Sequence, residues 1–159
     1  MGVNAKRWNC HDVRTNMCGA FIRNPAGASA AEFALILPVL LLALFAIIKF
    51  GILLNNNIEI TSGARASARV LSISRGSATP YSDGIAAFNN SAPNITSATV
   101  TMSVNGASCN ADGSCAAMLN SAAGQPVSVT ATHSCDLTIV GFDFAPGCQL
   151  QSQTTERVE

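Results

Sequence analysis

The sequence contains little charge, and the cations it does have are concentrated near one end. Charged residues make up 11% of the 159 residues, well below about a quarter in an ordinary globular protein. Residues 76–155 contain no lysine or arginine. Because such a surface cannot neutralise phosphates, we expect no nucleic-acid partner.

Histidine is also scarce, and the residue patterns of enzyme chemistry are missing with it. The two histidines are His11 and His133. Neither belongs to a Ser/His/Asp arrangement, a nucleophile elbow, a phosphate loop or a cluster of metal ligands. We therefore predict that the protein is not an enzyme and has neither a cofactor nor a metal site.

One long apolar run stands out, from Phe33 to Leu54, with Lys49 as its one charged residue. A helix of these 22 residues is about 33 Å long, enough to cross a hydrocarbon core of about 30 Å. The run is apolar on all sides, which favours a membrane helix over a buried core helix. Pro38 would kink this helix without breaking it, and Lys49 can reach the headgroups from near the far end.

Charges on the flanks predict the orientation of this helix. Residues 1–27 hold four basic residues and one acidic residue, so the positive-inside rule keeps this leader in the cytoplasm. Residues 73–159 would then form an extracytoplasmic domain. A cleaved secretory signal would have a shorter apolar region followed by small residues. Here residues 55–57 are three asparagines, so we expect the helix to be retained.

Residues 27–33 read Gly-Ala-Ser-Ala-Ala-Glu-Phe and stand directly at the start of the apolar run. This stretch resembles the processing site of type IV prepilins. With the following Ala-Leu-Ile-Leu-Pro, it resembles the opening of TadE-like proteins, which are minor pilin-like components of the tight-adherence (Flp-type, or Tad) pilus. Gly63-Ala64-Arg65 after the run and the charged tail 156–159 fit the same family.

The resemblance implies roles for four residues. A prepilin peptidase would cut between Gly27 and Ala28, and the absence of a side chain at Gly27 would let the backbone lie extended in a narrow site. Glu32, followed by Phe33, would pair with the Ala28 ammonium of a neighbouring subunit and set the register of assembly. Alternatively, Glu32 is a charge favoured by the dipole at the start of a helix.

Function, partners and location follow from the same resemblance. The chain would be a processed, pilin-like structural or assembly subunit contributing to pilus biogenesis. Its partners would be the lipid bilayer, the prepilin peptidase, other pilin-like subunits and the assembly machinery. It would span the bacterial inner membrane once, and assembly would add the surface pilus as a location. The alternative is an unprocessed, signal-anchored binding or adhesion protein.

The predicted fold class is α+β, with a long N-terminal transmembrane helix followed by a small antiparallel β-sheet domain, as in pilins. Helical spacing continues beyond the apolar run and predicts one helix over residues 28–72, with the transmembrane part at 33–54. A loop with a short helix near 85–88 should follow. Period-two patterns predict the strands, which are 95–104, 126–133, 137–144 and 149–158.

Six cysteines fall into two groups. Cys109, Cys115, Cys135 and Cys148 lie in the predicted external domain, where disulfides persist. Three pairings are possible; we favour Cys109–Cys115 and Cys135–Cys148 because each closes a short loop. Asp112-Gly113 would form a tight turn inside the first loop.

The Cys-x5-Cys and Cys-x12-Cys spacings make a zinc site a poor competitor for these four cysteines. Cys10 and Cys18 precede the predicted cut and should stay reduced. Translation from Met17 instead of Met1 would exclude Cys10 and leave an eleven-residue leader.

Overall fold

A computed structural model describes residues 25–139 and 141–159, with side chains from Ser29 onward. The predictions for His11, Cys10, Cys18 and the two start sites fall outside the described residues. The chain divides into two compact units, Met1–Phe45 and Ala46–Glu159. Helix α1, Pro25–Ile73, contributes residues to both.

Helix α1 contains 49 residues and begins three residues before the predicted start at Ala28. Proline suits the first turn of a helix because its missing N–H would have no intrahelical partner there. At the other end, the hydroxyl groups of Ser72 and Ser74 donate to the carbonyl groups of Arg69 and Val70. The bond to Val70 satisfies one of the four carbonyl groups that the helix leaves free at its C-terminus.

In the second unit, one face of α1 forms part of the core. Ile60, Ala64, Ala68 and Leu71 are completely buried, which confirms the periodicity that predicted this part of the helix. They pack into two apolar clusters with residues of the sheet, among them Met102. Full burial contributes about 1.5–3 kcal/mol for a side chain such as Ile60 or Leu71.

The small antiparallel sheet that the sequence predicts is present. In chain order the strands are β1 (Thr99–Val104), β2 (Ala107–Cys109), β3 (Pro126–Ser134), β4 (Thr138–Ile139), β5 (Phe142–Asp143) and β6 (Gln149–Arg157). Four of them form one sheet in the order β2-β1-β3-β6. Val127, Val129 and Ala131 of β3 all point into the core, as their alternation predicts.

The strand predicted at 137–144 is wrong in its extent and partner. The segment instead contains β4 and β5, which pair with each other as a separate hairpin. Gly141 has φ +81° between them, a conformation that favours glycine and ends the extended run. The fourth position in the main sheet is taken by β2, which is too short to show a period.

The structure has two helices in places where the sequence predicted a loop or a turn. Helix α2, Pro80–Ser91, is much longer than the predicted turn of helix near 85–88. Helix α3, Asp112–Asn120, begins where Asp112-Gly113 was predicted to make a tight turn. In α3, Cys115 and Leu119 are four residues apart and both buried, so one face of this helix belongs to the core.

Candidate functional site

The predicted processing and register residues lie together in the first turns of α1. Gly27 and Ala28 have helical backbone, and Glu32 and Phe33 are exposed on the same helix. Ala28 and Glu32 are four residues apart, so both lie on one face. Because Gly27 is helical, binding in an extended peptidase site would require this turn to unwind.

The helix that follows is apolar and exposed. Residues 29–73 contain a stretch long and apolar enough to cross a membrane, with none of its most apolar window buried within the protein. Fifteen large apolar side chains between Phe33 and Leu54 are exposed. Such a surface is far larger than the apolar patches that soluble monomers leave uncovered, so this part of α1 needs another covering.

The Gly-Ala-Arg motif after the apolar run has a packing explanation. A Cβ atom added at Gly63 would lie 2.7 Å from Cδ2 of Phe88 in α2 and 3.2 Å from Cβ of Ala92. Ala64 is completely buried beside it, whereas Arg65 is exposed. The first two residues of the motif therefore let α2 pack closely against α1, and the arginine faces solvent.

A second contact joins α1 to a region far away in the chain. Nζ of Lys49 lies 3.1 Å from Oδ2 of Asp136. The carboxylate of Asp136 also accepts hydrogen bonds from the hydroxyl and backbone N–H of Thr138. These bonds from Thr138, followed by the contact with Lys49, lower the pKa of Asp136 from 3.8 to about 2. Asp136 is therefore ionised at neutral pH.

Glu59 links α1 to the segment that enters the sheet. Its Oε1 atom accepts hydrogen bonds from the side-chain amides of Asn94, at 2.7 Å, and Asn55, at 3.0 Å. The bond from Asn94 is the main cause of a lowered pKa at Glu59. Asn94 precedes the buried Ile95, so this contact positions the chain before β1 along the helix.

Cys109, Cys115, Cys135 and Cys148 form the two favoured disulfides. Cys109 at the end of β2 is bonded to Cys115 in α3, with Cα atoms 5.1 Å apart. Cys135 is bonded to Cys148, with Cα atoms 5.2 Å apart. The second bond closes residues 135–148, which include β4 and β5; we call this segment the disulfide hairpin.

The described residues offer no grouping of side chains for metal chemistry. Among residues 25–139 and 141–159, no three of the His, Cys, Asp and Glu side chains are grouped so as to hold a metal ion. His133 lies half-buried on β3, with Nδ1 3.4 Å from the Ser97 hydroxyl. The features of the described residues that bear on function are therefore the packing and the exposure of side chains along α1.

Contacts between distant residues were not predicted from the sequence. Lys49 and Asp136 are 87 residues apart, and neither stands in a motif. The Asp112 carboxylate accepts from the backbone N–H and hydroxyl of Ser82, at 2.8 and 2.6 Å. The only local signal was that both acids occur where Asp commonly bonds to nearby backbone.

Comparison with known families matches residues 27–69 to the family of TadE-like proteins. The matched segment includes Glu32, the whole apolar run and the Gly-Ala-Arg motif. No curated protein and no solved structure matches the chain. The family match confirms the predicted resemblance: residues 27–69 are similar to the TadE-like proteins, a family of the Tad pilus system.

Proposed function

From this family match, we propose that the chain is a membrane-anchored, pilin-like subunit that contributes to Tad pilus biogenesis. The observation that carries the proposal is the coincidence of three features in residues 27–69. These are the family match, the Gly-Ala-Ser-Ala-Ala-Glu-Phe sequence and an exposed apolar helix long enough to span a bilayer.

The exposed apolar helix suits both states of a pilin, in the membrane before assembly and in the filament after assembly. Before assembly, lipid tails would cover the side chains between Phe33 and Leu54. After assembly, the helices of neighbouring subunits would cover them instead. Beyond Leu54 the chain has its own buried core and two disulfides, so this part would remain folded outside the membrane in both states.

Glu32 supports a role in assembly rather than in anchoring alone. An acid inside or beside a hydrocarbon layer is costly unless it is paired. Cleavage after Gly27 would create an ammonium group at Ala28, and this group on a neighbouring subunit would pair with Glu32. The alternative reason for this acid, the dipole at the start of a helix, is weaker here because α1 begins at Pro25 and has no acid in its first turn.

Mass spectrometry of the mature N-terminus tests the processing step. The full chain would be purified from otherwise identical cells with and without a prepilin peptidase. We expect a chain that begins at Ala28 only where the peptidase is present. A chain beginning at Met1 or Met17 in both cells would contradict processing and favour an unprocessed, signal-anchored binding protein.

A further inference from the structure

Two exposed phenylalanines lie two residues apart in the sequence of the disulfide hairpin. Phe142 is 73% exposed and Phe144 is 67% exposed. Among the described residues outside α1, no other large hydrophobic side chain is exposed to this degree. Single exposed apolar residues are ordinary, but such a pair on an otherwise polar domain marks a contact surface.

The hairpin is held in one conformation. Ile139 pairs with Phe142 across the two strands, and the Cys135–Cys148 bond closes the base. The backbone N–H of Cys135 donates to the carbonyl of Cys148, and that of Ala145 to the Asp143 side chain. Phe142 and Phe144 are therefore presented on a constrained loop, which lowers the entropy cost of a contact.

The pair between Lys49 and Asp136 places the base of this hairpin beside the apolar part of α1. The side chain of Asp136 is 69% exposed and that of Lys49 is 33% exposed. An ionised carboxylate with that exposure is strongly disfavoured in hydrocarbon and belongs in water or among headgroups. In a membrane-anchored chain, Lys49 therefore marks the outer border of the hydrocarbon layer.

This border is compatible with the length of the helix. The twenty residues from Ser29 to Ile48 span about 30 Å, equal to the hydrocarbon thickness of about 30 Å. Phe50 and Ile52, which are exposed just beyond Lys49, would then lie at the interface between headgroups and acyl chains. The base of the hairpin is tied to α1 at this same level.

We propose that the disulfide hairpin is a second membrane contact, in which Phe142 and Phe144 insert into the outer surface of the anchoring bilayer beside Lys49. The proposal rests on the membrane anchoring in the proposed function. The bilayer is the favoured occupant because the hairpin is joined by an ion pair to an exposed apolar helix. Two contacts with one bilayer would limit the tilt and rotation of the external domain before assembly.

Depth-dependent fluorescence quenching tests this contact on the full chain. Trp8 is the only tryptophan, so Trp8→Phe provides a silent background. Single tryptophans would then be introduced by Phe142→Trp, Phe144→Trp, Leu41→Trp and Ile73→Trp. Each variant would be reconstituted in phosphatidylcholine vesicles carrying bromine near the headgroup or near the end of the acyl chain.

We expect the tryptophans at 142 and 144 to be quenched most by bromine near the headgroup. The tryptophan at 41 should be quenched by deep bromine, and that at 73, an exposed position at the far end of α1, by neither. Quenching at 41 without quenching at 142 and 144 would overturn the hairpin contact and leave the anchor intact. No quenching at 41 would overturn the anchor and the hairpin contact together.

A blue-shifted emission at 142 and 144 without quenching would also overturn the proposal, since protein rather than lipid would then cover the hairpin. A second protein background tests whether the introduced tryptophan inserts by itself, without the attachment of the hairpin to α1. In the Lys49→Met variant, the hairpin loses its ion pair with α1, so we expect weaker quenching at 142 while quenching at 41 is unchanged. Equal quenching at 142 in both backgrounds would contradict the role of Lys49 in placing the hairpin.

Discussion

At the scale of single residues, two glycines determine how closely the elements of the external domain approach. Gly63 lies under the ring of Phe88, and Gly84 lies against the Met102 side chain and the Ser67 hydroxyl. Both glycines are helical, where glycine costs about 1 kcal/mol relative to alanine. At Gly63 that cost is offset by the close approach of Phe88, whereas at Gly84 the nearest atom is the end of the flexible Met102 side chain.

The first prediction concerns Gly63→Ala. The added methyl group would clash with the ring of Phe88, a residue that is 1% exposed. We expect the variant to lose about 1–3 kcal/mol of stability through overpacking, although alanine is the better helix former. The measurement is thermal or denaturant unfolding of the full chain in detergent, followed by circular dichroism.

Gly113→Ala is a matched control, because a Cβ atom there meets nothing within 4 Å. This variant in α3 should be as stable as the parent or slightly more stable. Equal stability of the Gly63 and Gly113 variants would show that α2 can shift away from α1 at no cost. The packing explanation of the Gly-Ala-Arg motif would then be wrong.

The second prediction concerns the acid sensitivity of the disulfide hairpin. The pKa of Asp136 is lowered in the folded protein to about 2 from 3.8, so its ionised form favours folding above about pH 4. This contribution should be lost as the pH falls from about 4 to about 2. We therefore expect Asp136→Asn to be less stable than the parent at neutral pH, with the difference shrinking across that window.

Carboxyl NMR titration separates the causes of the shift. Thr138→Val removes the largest cause and should raise the pKa of Asp136 more than Lys49→Met does. A larger rise in the Lys49 variant would mean that the ion pair, and not the turn at Thr138, is the main cause of the lowered pKa of Asp136.

At the scale of elements, α2 and α3 stabilise each other through their first turns. Thr79 precedes α2 but makes no side-chain cap hydrogen bond to it. The free N–H group of Ser82 is satisfied instead by Asp112, from the first turn of α3. The Asp112 carboxylate also accepts from the Ser82 hydroxyl, and these bonds lower its pKa.

The third prediction follows from this exchange. Asp112→Ala should lower the melting temperature, because it leaves an N–H group of α2 without its cap and removes an acid from the start of α3. Asp83→Ala is the control. It also removes a first-turn acid, but among the described residues the side chain of Asp83 accepts a hydrogen bond only from the Thr79 hydroxyl and caps no backbone N–H group. We expect the Asp112 variant to melt at the lower temperature of the two.

The same elements show why the sequence predicts some of the domain and not the rest. The buried face of α1 and the alternation along β3 extend over several periods, so the pattern is visible. Helix α2 contains Gly84 and several Asn and Ser residues, which favour loops in isolation. Its stability comes from burial of Phe88 against Gly63 and Ala92 against α1, contacts that depend on residues far away in the chain.

At the scale of the whole molecule, more could be predicted from the sequence for the N-terminal segment than for the domain that follows it. The apolar run and the residues before it are local in sequence, and the family match covers this part, residues 27–69. The ion pair between Lys49 and Asp136 had no local signal. In the membrane contact proposed above, this pair would move the outer border of the hydrocarbon layer from Leu54 towards Lys49.

The last prediction concerns Glu32 and separates anchoring from assembly. If Glu32 pairs with the Ala28 ammonium of a neighbouring subunit, Glu32→Ala should leave insertion and cleavage intact but abolish entry into the pilus. Removal of the acid lowers the cost of placing this turn in hydrocarbon, so retention in the membrane should not weaken. The measurements are membrane fractionation, mass spectrometry of the N-terminus and recovery of the chain in sheared surface pili.

Glu156→Ala is the control for loss of one negative charge, because Glu156 is exposed on β6 in the external domain. We expect this variant to be processed and assembled like the parent. Normal recovery of the Glu32 variant in pili would mean that Glu32 does not set the register of assembly. The register of assembly would then have to come from the packing of the apolar helices or from contacts between external domains.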